Sequence, residues 1–184
     1  MTMDTKKLLN TLVDGNDLTQ KQASFLLESM IAGNLNPVQA AAFLTSLRAK
    51  GETEQEILGF IKTMQKHMVK IKAPGAIDIV GTGGDRSGTF NISTTSSFVA
   101  VGAGVPVAKH GNRAVSGKCG SADVLEKLGV NINITPKQAE KVLAKAGMVF
   151  LFAPIYHPVM KQVAPIRKEL GIRTIFNFLG PYLN

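Results

Sequence analysis

Ile77-Asp78-Ile79-Val80-Gly81-Thr82-Gly83-Gly84-Asp85 is the stretch on which the fold turns. A short β-branched run reads as a strand, and it stops at a turn holding three glycines and an acid. Glycines there let backbone N–H groups approach a ligand without side-chain obstruction. The turn is neither Gly-x-Gly-x-x-Gly nor a Walker loop, since no Gly-Lys-Ser/Thr follows. Downstream, the spacing predicts a small-residue helix over 94–101 and a second strand over 105–108. It then predicts a helix over 122–128 capped by Ser121, and a weaker strand candidate over 130–134. Thr135-Pro136-Lys137-Gln138 opens a capped helix that ends at Gly147; a strand over 148–152 and a helix over 159–170 follow. Strands alternating with helices predict an α/β layer with a mostly parallel sheet.

Upstream of Pro74-Gly75 the pattern is helical. Thr5 or Asp4 can cap a helix through Leu8, Leu9 and Leu12 that ends near Gly15. Thr19 with Gln22, Asn36-Pro37 with Gln39, and Thr53 with Glu56 are three N-terminal capping signatures, and Gly33 and Gly51 close two of the helices. Four short helices on short turns predict a small bundle. The expected organisation is a helical domain over 1–72, joined by helices near 158–184, and an α/β domain over 76–157.

The chain has 184 residues, of which 45% are hydrophobic and 18% charged, which supports a real core and excludes a disordered tail. Cys119 stands alone, so no internal disulfide forms, and a reducing compartment is expected. No apolar run approaches the ~18 residues of a membrane span, and residues 1–14 lack an apolar leader core. The cytoplasm is therefore the expected location. Charge is uneven: residues 1–75 carry 9 Lys/Arg against 7 Asp/Glu, and residues 76–184 carry 12 against 6. That basic excess suits an anionic ligand, either a small phosphorylated one or nucleic acid.

The candidate chemistry lies in three segments of the second part. Asn91-Ile92-Ser93-Thr94 places polar side chains at a helix N-terminus, where free backbone donors favour a phosphate. A turn plus an N-cap would account for one of these residues but not for Gly81, Gly83, Gly84, Asp85, Asn91, Ser93 and Thr94 together. Lys109-His110-Gly111-Asn112-Arg113 follows the second predicted strand, at the sheet edge where α/β proteins bind ligands. Taken singly, Lys109 or Arg113 reads as a solvated charge and His110 as a structural histidine. Ser116-Gly117-Lys118-Cys119-Gly120-Ser121 is a third glycine/serine loop, in which Cys119 reads as a bystander.

Gly-Thr-Gly-Gly-Asp at 81–85, Thr89-Phe90-Asn91-Ile92-Ser93-Thr94, Lys-His-Gly-Asn-Arg at 109–113, Gly120-Ser121-Ala122-Asp123 and the spacing to Arg167 together resemble the anthranilate phosphoribosyltransferase family. The resemblance implies transfer of phosphoribosyl from 5-phosphoribosyl 1-diphosphate to anthranilate, in tryptophan biosynthesis, with Mg²⁺ and a homodimer formed through the helical domain. It implies a phosphoribosyl diphosphate site at Gly81, Gly84, Asp85, Thr89, Asn91, Ile92, Ser93, Thr94, Lys109, His110, Gly111, Asn112, Arg113, Ala114, Val115, Ser116, Gly117 and Ser121. It implies an anthranilate site at Gly81, Asn112, Arg167 and His157, with Ser93 as a metal ligand. Family members are about twice this length, so the chain is expected to correspond to the N-terminal half. The carboxylate pair for a second metal is then expected beyond Asn184, and turnover by the chain alone is expected near background. Two alternatives are a pyrimidine nucleoside phosphorylase and a non-catalytic nucleic-acid-binding relative; Asn112 and Arg167 argue against both.

Overall fold

The structure, a computed structural model, describes residues 3–82, 89–114 and 119–183. It divides into two units, Met1–Met68 with Val159–Leu183, and Val69–Pro158.

In the first unit, α1 (Thr5–Val13), α2 (Gln20–Ile31), α3 (Pro37–Lys50) and α4 (Glu54–His67) begin where the capping residues lie. Asp4 caps α1, and Thr19, Asn36 and Thr53 each close a reciprocal capping box with the third helical residue. The capped donors would otherwise be orphaned at each helix start. Helices α2 and α4 pack closely at Gly59, where an added Cβ would lie 2.6 Å from the Gln20 carbonyl oxygen and 2.8 Å from Ala23 Cβ. Leu12, Leu26, Leu27, Phe43, Leu44, Leu47 and Phe60 fill the core, which Val163, Ile175, Phe176 and Leu179 complete from the chain's last segment.

Within this core Glu56 is fully buried and still fully engaged. Its carboxylate accepts from the Leu18 N–H at 2.9 Å, from the Thr53 N–H at 2.8 Å and from Lys50 Nζ at 3.0 Å. A buried carboxylate persists only with such a set of partners.

The second unit holds α5 (Ile92–Gly102), β1 (Val107–Gly111), α6 (Ser121–Lys127), α7 (Pro136–Ala146), β2 (Met148–Phe152) and α8 (Ala153–Tyr156). Strands β1 and β2 run parallel, with Lys109 opposite Phe150 and Gly111 opposite Phe152. The expected parallel α/β layer is present. Helices α9 (Met160–Leu170) and α10 (Phe176–Leu179), with a 3₁₀ turn at Gly180–Tyr182, belong to the first unit.

Three expected elements differ, each because side chains or helix carbonyls have taken the backbone groups that a ladder would use. The run at 77–80 makes a single parallel bridge, Ile77 to Val107. Beyond it the His110 N–H donates to Asp78 Oδ1 at 3.1 Å, and the Ile79 carbonyl accepts Lys109 Nζ at 2.6 Å. Both backbone groups are thus diverted from a regular ladder. The strand expected over 105–108 begins at Val107 and runs to Gly111, because the Val105 N–H turns back to the Ala100 carbonyl at 3.0 Å. Pro106 also has no N–H to offer a ladder. The 130–134 candidate forms no strand: Val130 N–H bonds to the Leu125 carbonyl and Asn133 N–H to its neighbour Asn131 Oδ1. The apolar side chains still join the cores, Ile132 buried in one cluster and Ile134 packed against another.

Helix boundaries shift less. Helix α5 starts at Ile92 rather than residue 94, α9 at Met160 rather than 159, and Gly120, not Ser121, is the residue that precedes α6.

Candidate functional site

The carboxyl end of β1 gathers the charged residues. Lys109 and His110 are part of the strand itself, not of a loop after it, and both are buried, at 2% and 9% exposure. Lys109 extends its ammonium to the Ile79 carbonyl, and burial holds its pKa below the ordinary value although the Asp78 charge opposes this. Burial drives the Asp78 carboxyl up to about 6, against the His110 N–H and Lys109, which favour its charge. Sequence reasoning misses Asp78 as a site residue; an acid inside a β-branched run is the available signal.

His110 and His157 meet edge to face with ring centroids 5.0 Å apart. Burial, His157 and Lys109 together push His110 down to about 4, and burial lowers His157 also. His110 Nε2 and His157 Nδ1 are buried with no hydrogen-bond partner in the structure. Both rings are therefore neutral at pH 7, and each presents a nitrogen able to donate or accept.

Beyond β1 the chain turns back on itself. The Asn112 carbonyl accepts from the Ser121 hydroxyl and the Ala122 N–H, each at 3.2 Å, and Asn112 Oδ1 accepts the Arg113 N–H at 2.8 Å. Gly120 presses against this return: a Cβ there would lie 2.6 Å from Arg113 C and 2.8 Å from the Asn112 oxygen, and would strike Ala114 N. Asp123 Oδ2 accepts both the Ala114 N–H at 2.9 Å and the Gly120 N–H at 2.7 Å, and those two bonds hold its pKa below the usual carboxylate range. Arg113 is half-exposed, forked onto Glu126, and set over the Phe152 ring at 5.4 Å.

Asn91 does not cap α5 with its side chain. Its amide instead donates to the Cys119 carbonyl at 3.3 Å, which joins the first turn of α5 to the end of the loop after β1. Ser93 is half-buried and Ile92 exposed at that turn, while Thr94 is only 5% exposed. Gly81 and Thr89 are exposed, as are Asn112 and Ala114. Gly84, Asp85, Val115, Ser116 and Gly117 lie outside the described residues.

Arg167 belongs to the other unit. It sits on α9 with its guanidinium 5.3 Å over the Phe176 ring, and burial lowers its pKa. Among the described residues no carboxylate pairs with it within 4.0 Å, which leaves a planar, sheltered donor fork suited to an anionic oxygen pair.

The second unit thus presents neutral histidines, a clamped glycine-bearing return and a helix N-terminus linked by Asn91. Among the described residues no group of three or more His, Cys, Asp or Glu converges as a metal cage. No described helix is long and apolar enough to cross a membrane.

Comparison with known proteins gives this arrangement its context. The chain is 53% identical, over its whole length, to an anthranilate phosphoribosyltransferase of Desulfitobacterium hafniense (strain Y51), of which it covers 55%. It is 52% identical over 98% of its length to anthranilate phosphoribosyltransferase 2 of Ralstonia nicotianae, of which it covers 53%. The chain therefore spans about half the length of the curated relatives it matches. Among solved structures it superposes on anthranilate phosphoribosyltransferase from Thermus thermophilus with a TM-score of 0.88 at 41% identity, covering 99% of this chain and 55% of that one. The Saccharomyces cerevisiae enzyme in complex with PRPP and Mg matches at a TM-score of 0.84 and 30% identity, covering 96% of this chain and 54% of that one. Residues 6–68 match the helical bundle domain of the glycosyl transferase family and residues 73–184 match its a/b domain. Carrying both of these domains in order, the chain belongs to the glycosyl transferase family.

Proposed function

We propose that the chain serves transfer of the phosphoribosyl group from 5-phosphoribosyl 1-diphosphate to anthranilate, giving N-(5-phosphoribosyl)anthranilate and diphosphate, in tryptophan biosynthesis. The observation that carries this reading is 53% identity across the whole chain to a relative named for that reaction. The geometry agrees with it. The first turn of α5 offers Ser93 and backbone donors to a phosphorylated ligand, and the Asn91 amide ties that turn to the return after β1.

The site's own groups suit a reaction that needs no strong base, since an aromatic amine is unprotonated at neutral pH. Cleavage of the bond between the ribose C1 and the diphosphate builds negative charge on the leaving group. Donors already fixed in place lower that barrier without reorganising. The neutral His110 and His157 add no charge of their own. The Arg167 guanidinium is proposed separately as the partner of the carboxylate of anthranilate.

Mg²⁺ fits the donor set. This cation keeps several waters and completes its octahedron with substrate phosphates, so the Ser93 hydroxyl would be one oxygen ligand that this chain adds to it. When bound it would neutralise charge on the leaving diphosphate. The same reading expects a homodimer through the helical domain and a cytoplasmic location; the lone, exposed Cys119 is compatible with a reducing compartment. The domain organisation proposed is a helical domain over 1–72 that is completed by 158–184, with an α/β domain over 76–157.

The test is calorimetric titration of the chain with 5-phosphoribosyl 1-diphosphate, with and without Mg²⁺, followed by Ser93→Ala. Mg²⁺-dependent binding that Ser93→Ala weakens is expected. Binding that is indifferent to both the metal and Ser93, or binding of inorganic phosphate and thymidine in its place, would overturn the reading.

A further inference from the structure

We infer that Asp123 is a positioning residue that holds Ala114 and Gly120 together on one carboxylate oxygen and so fixes the backbone of Asn112. The inference rests on the proposed phosphoribosyl diphosphate site. Asp123 itself is given no contact with that ligand.

The geometry is specific. Asp123 stands three residues after Gly120, on the first turn of α6. From there its Oδ2 accepts the Gly120 N–H at 2.7 Å and the Ala114 N–H at 2.9 Å, two donors six residues apart in sequence. The Gly120 bond alone would be ordinary helix capping. The Ala114 bond is not local to the helix, because it reaches back to the residue where the chain leaves β1 and its return. A third group converges on the same carboxylate, with Arg113 lying 3.8 Å from Asp123 Oδ1 while it is forked onto Glu126.

Gly120 makes this closure possible. Its missing Cβ is the space in which the peptide of 112–114 lies. Asn112 is fixed by the same closure, since its carbonyl carries the Ser121 hydroxyl and the Ala122 N–H. Asp123 therefore acts on the candidate site through Asn112, Ala114 and Gly120. The hydrogen-bond-lowered pKa of Asp123 fits a carboxylate that accepts two backbone donors.

Because one oxygen takes both N–H groups, an asparagine can in principle preserve the geometry while deleting the charge, whereas alanine deletes both. This separates a tether from a charge aimed at the ligand or at Mg²⁺. The experiment measures 5-phosphoribosyl 1-diphosphate·Mg²⁺ binding by calorimetry for the full chain, Asp123→Ala and Asp123→Asn. Amide exchange at Ala114 and Gly120 is measured on the same ligand-free proteins.

Asp123→Ala is expected to weaken binding at least about tenfold and to speed exchange at both amides by a similar factor, from the loss of two charge-assisted bonds. Asp123→Asn should restore both to within about threefold of the parent, since each 1.4 kcal/mol corresponds to a factor of ten. Exchange at Val149 and Leu151 in β2 reports whether each variant retains its sheet. A variant that loses β2 protection with its binding would assign Asp123 to the fold at large and overturn the positioning role. Equal losses of binding in the two variants would assign Asp123 a direct charge role and also overturn it. Unchanged binding in Asp123→Ala would overturn it while leaving the proposed function standing. Failure of the parent itself to bind, with Ala114 and Gly120 protected, would overturn the proposed function and the role built on it.

Discussion

The Asp78–His110 contact makes a sharp test, because its two partners push stability in opposite directions as pH changes. Asp78 has its folded pKa raised to about 6, above an ordinary 3.8, so between those values the folded state binds the extra proton. Stability therefore falls as pH rises through that window. His110 has its folded pKa lowered to about 4 from an ordinary 6.5, so across that window it is the unfolded state that binds the extra proton. Stability accordingly rises with pH there. At about 1.4 kcal/mol per pKa unit the His110 contribution is roughly 3 kcal/mol, and the Asp78 contribution is roughly 2–3 kcal/mol once the solvent that still reaches it is allowed for. The two largely offset each other, so from pH 4 to 6.5 the parent's profile should be shallower than that of Asp78→Asn, the lowered His157 adding a rise common to both. Asp78→Asn removes the falling component and should expose a rise of about 2–3 kcal/mol over that interval. The assay is urea unfolding at several pH values in a Tyr182→Phe background. With two tyrosines and no tryptophan in the chain, this substitution leaves Tyr156 as the fluorophore and makes the signal specific to the second unit. A profile for Asp78→Asn that superimposes on the parent's would refute the reasoning.

Other expectations are briefer. Glu56→Ala leaves the buried Leu18 and Thr53 N–H groups without their acceptor, while Lys50 keeps Asp17 at 2.7 Å and the Gly51 carbonyl, and should cost about 2–4 kcal/mol in urea unfolding followed by helical circular dichroism. Gly120→Ala forces a methyl into the 112–114 peptide, and should weaken 5-phosphoribosyl 1-diphosphate binding about tenfold or more without moving the unfolding of the helical unit. Arg167→Ala should weaken anthranilate binding by about 2–3 kcal/mol while leaving the phosphoribosyl ligand largely unaffected; equal losses for both would mark a folding defect instead.

The helical unit was legible because its signals are local. Thr19, Asn36 and Thr53 each announce a helix start through a partner three residues on, and the structure places all three boxes there. Strand β2 was legible for a related reason: an apolar run between Gly147, which closes α7 in the left-handed conformation, and Pro154, which opens the short helix α8, has little else to become. The other strands depend on where donors go after folding, and hydrophobic periodicity carries no information about that. Nothing in Ile77-Asp78-Ile79-Val80 says that the Asp78 carboxylate will take the His110 N–H that a third strand would have used. Nothing in Val105-Pro106 says that Val105 will close the preceding helix before a strand can begin.

The candidate site divides along the same line. Residue types known to suit phosphate could be picked out in sequence, and Asn91, Ser93, Lys109, His110 and Asn112 do lie in one unit. Their individual tasks could not be read in the same way. Asn91 looks like an N-cap and is instead a cross-link to Cys119; Lys109 looks like a free cation and is buried on the Ile79 carbonyl. In both cases a long polar side chain reaches a backbone carbonyl of another segment, a contact that sequence distance conceals. Arg113 follows suit, with its fork occupied by Glu126 and its face by Phe152. Some of the cations that composition counted as ligand-seeking, Lys109 and Arg113, are thus committed to partners within the protein. Under the proposed function a phosphorylated ligand would meet fewer free charges than the basic excess suggests, so its affinity should depend on the Asp123 and Gly120 contacts more steeply than on salt.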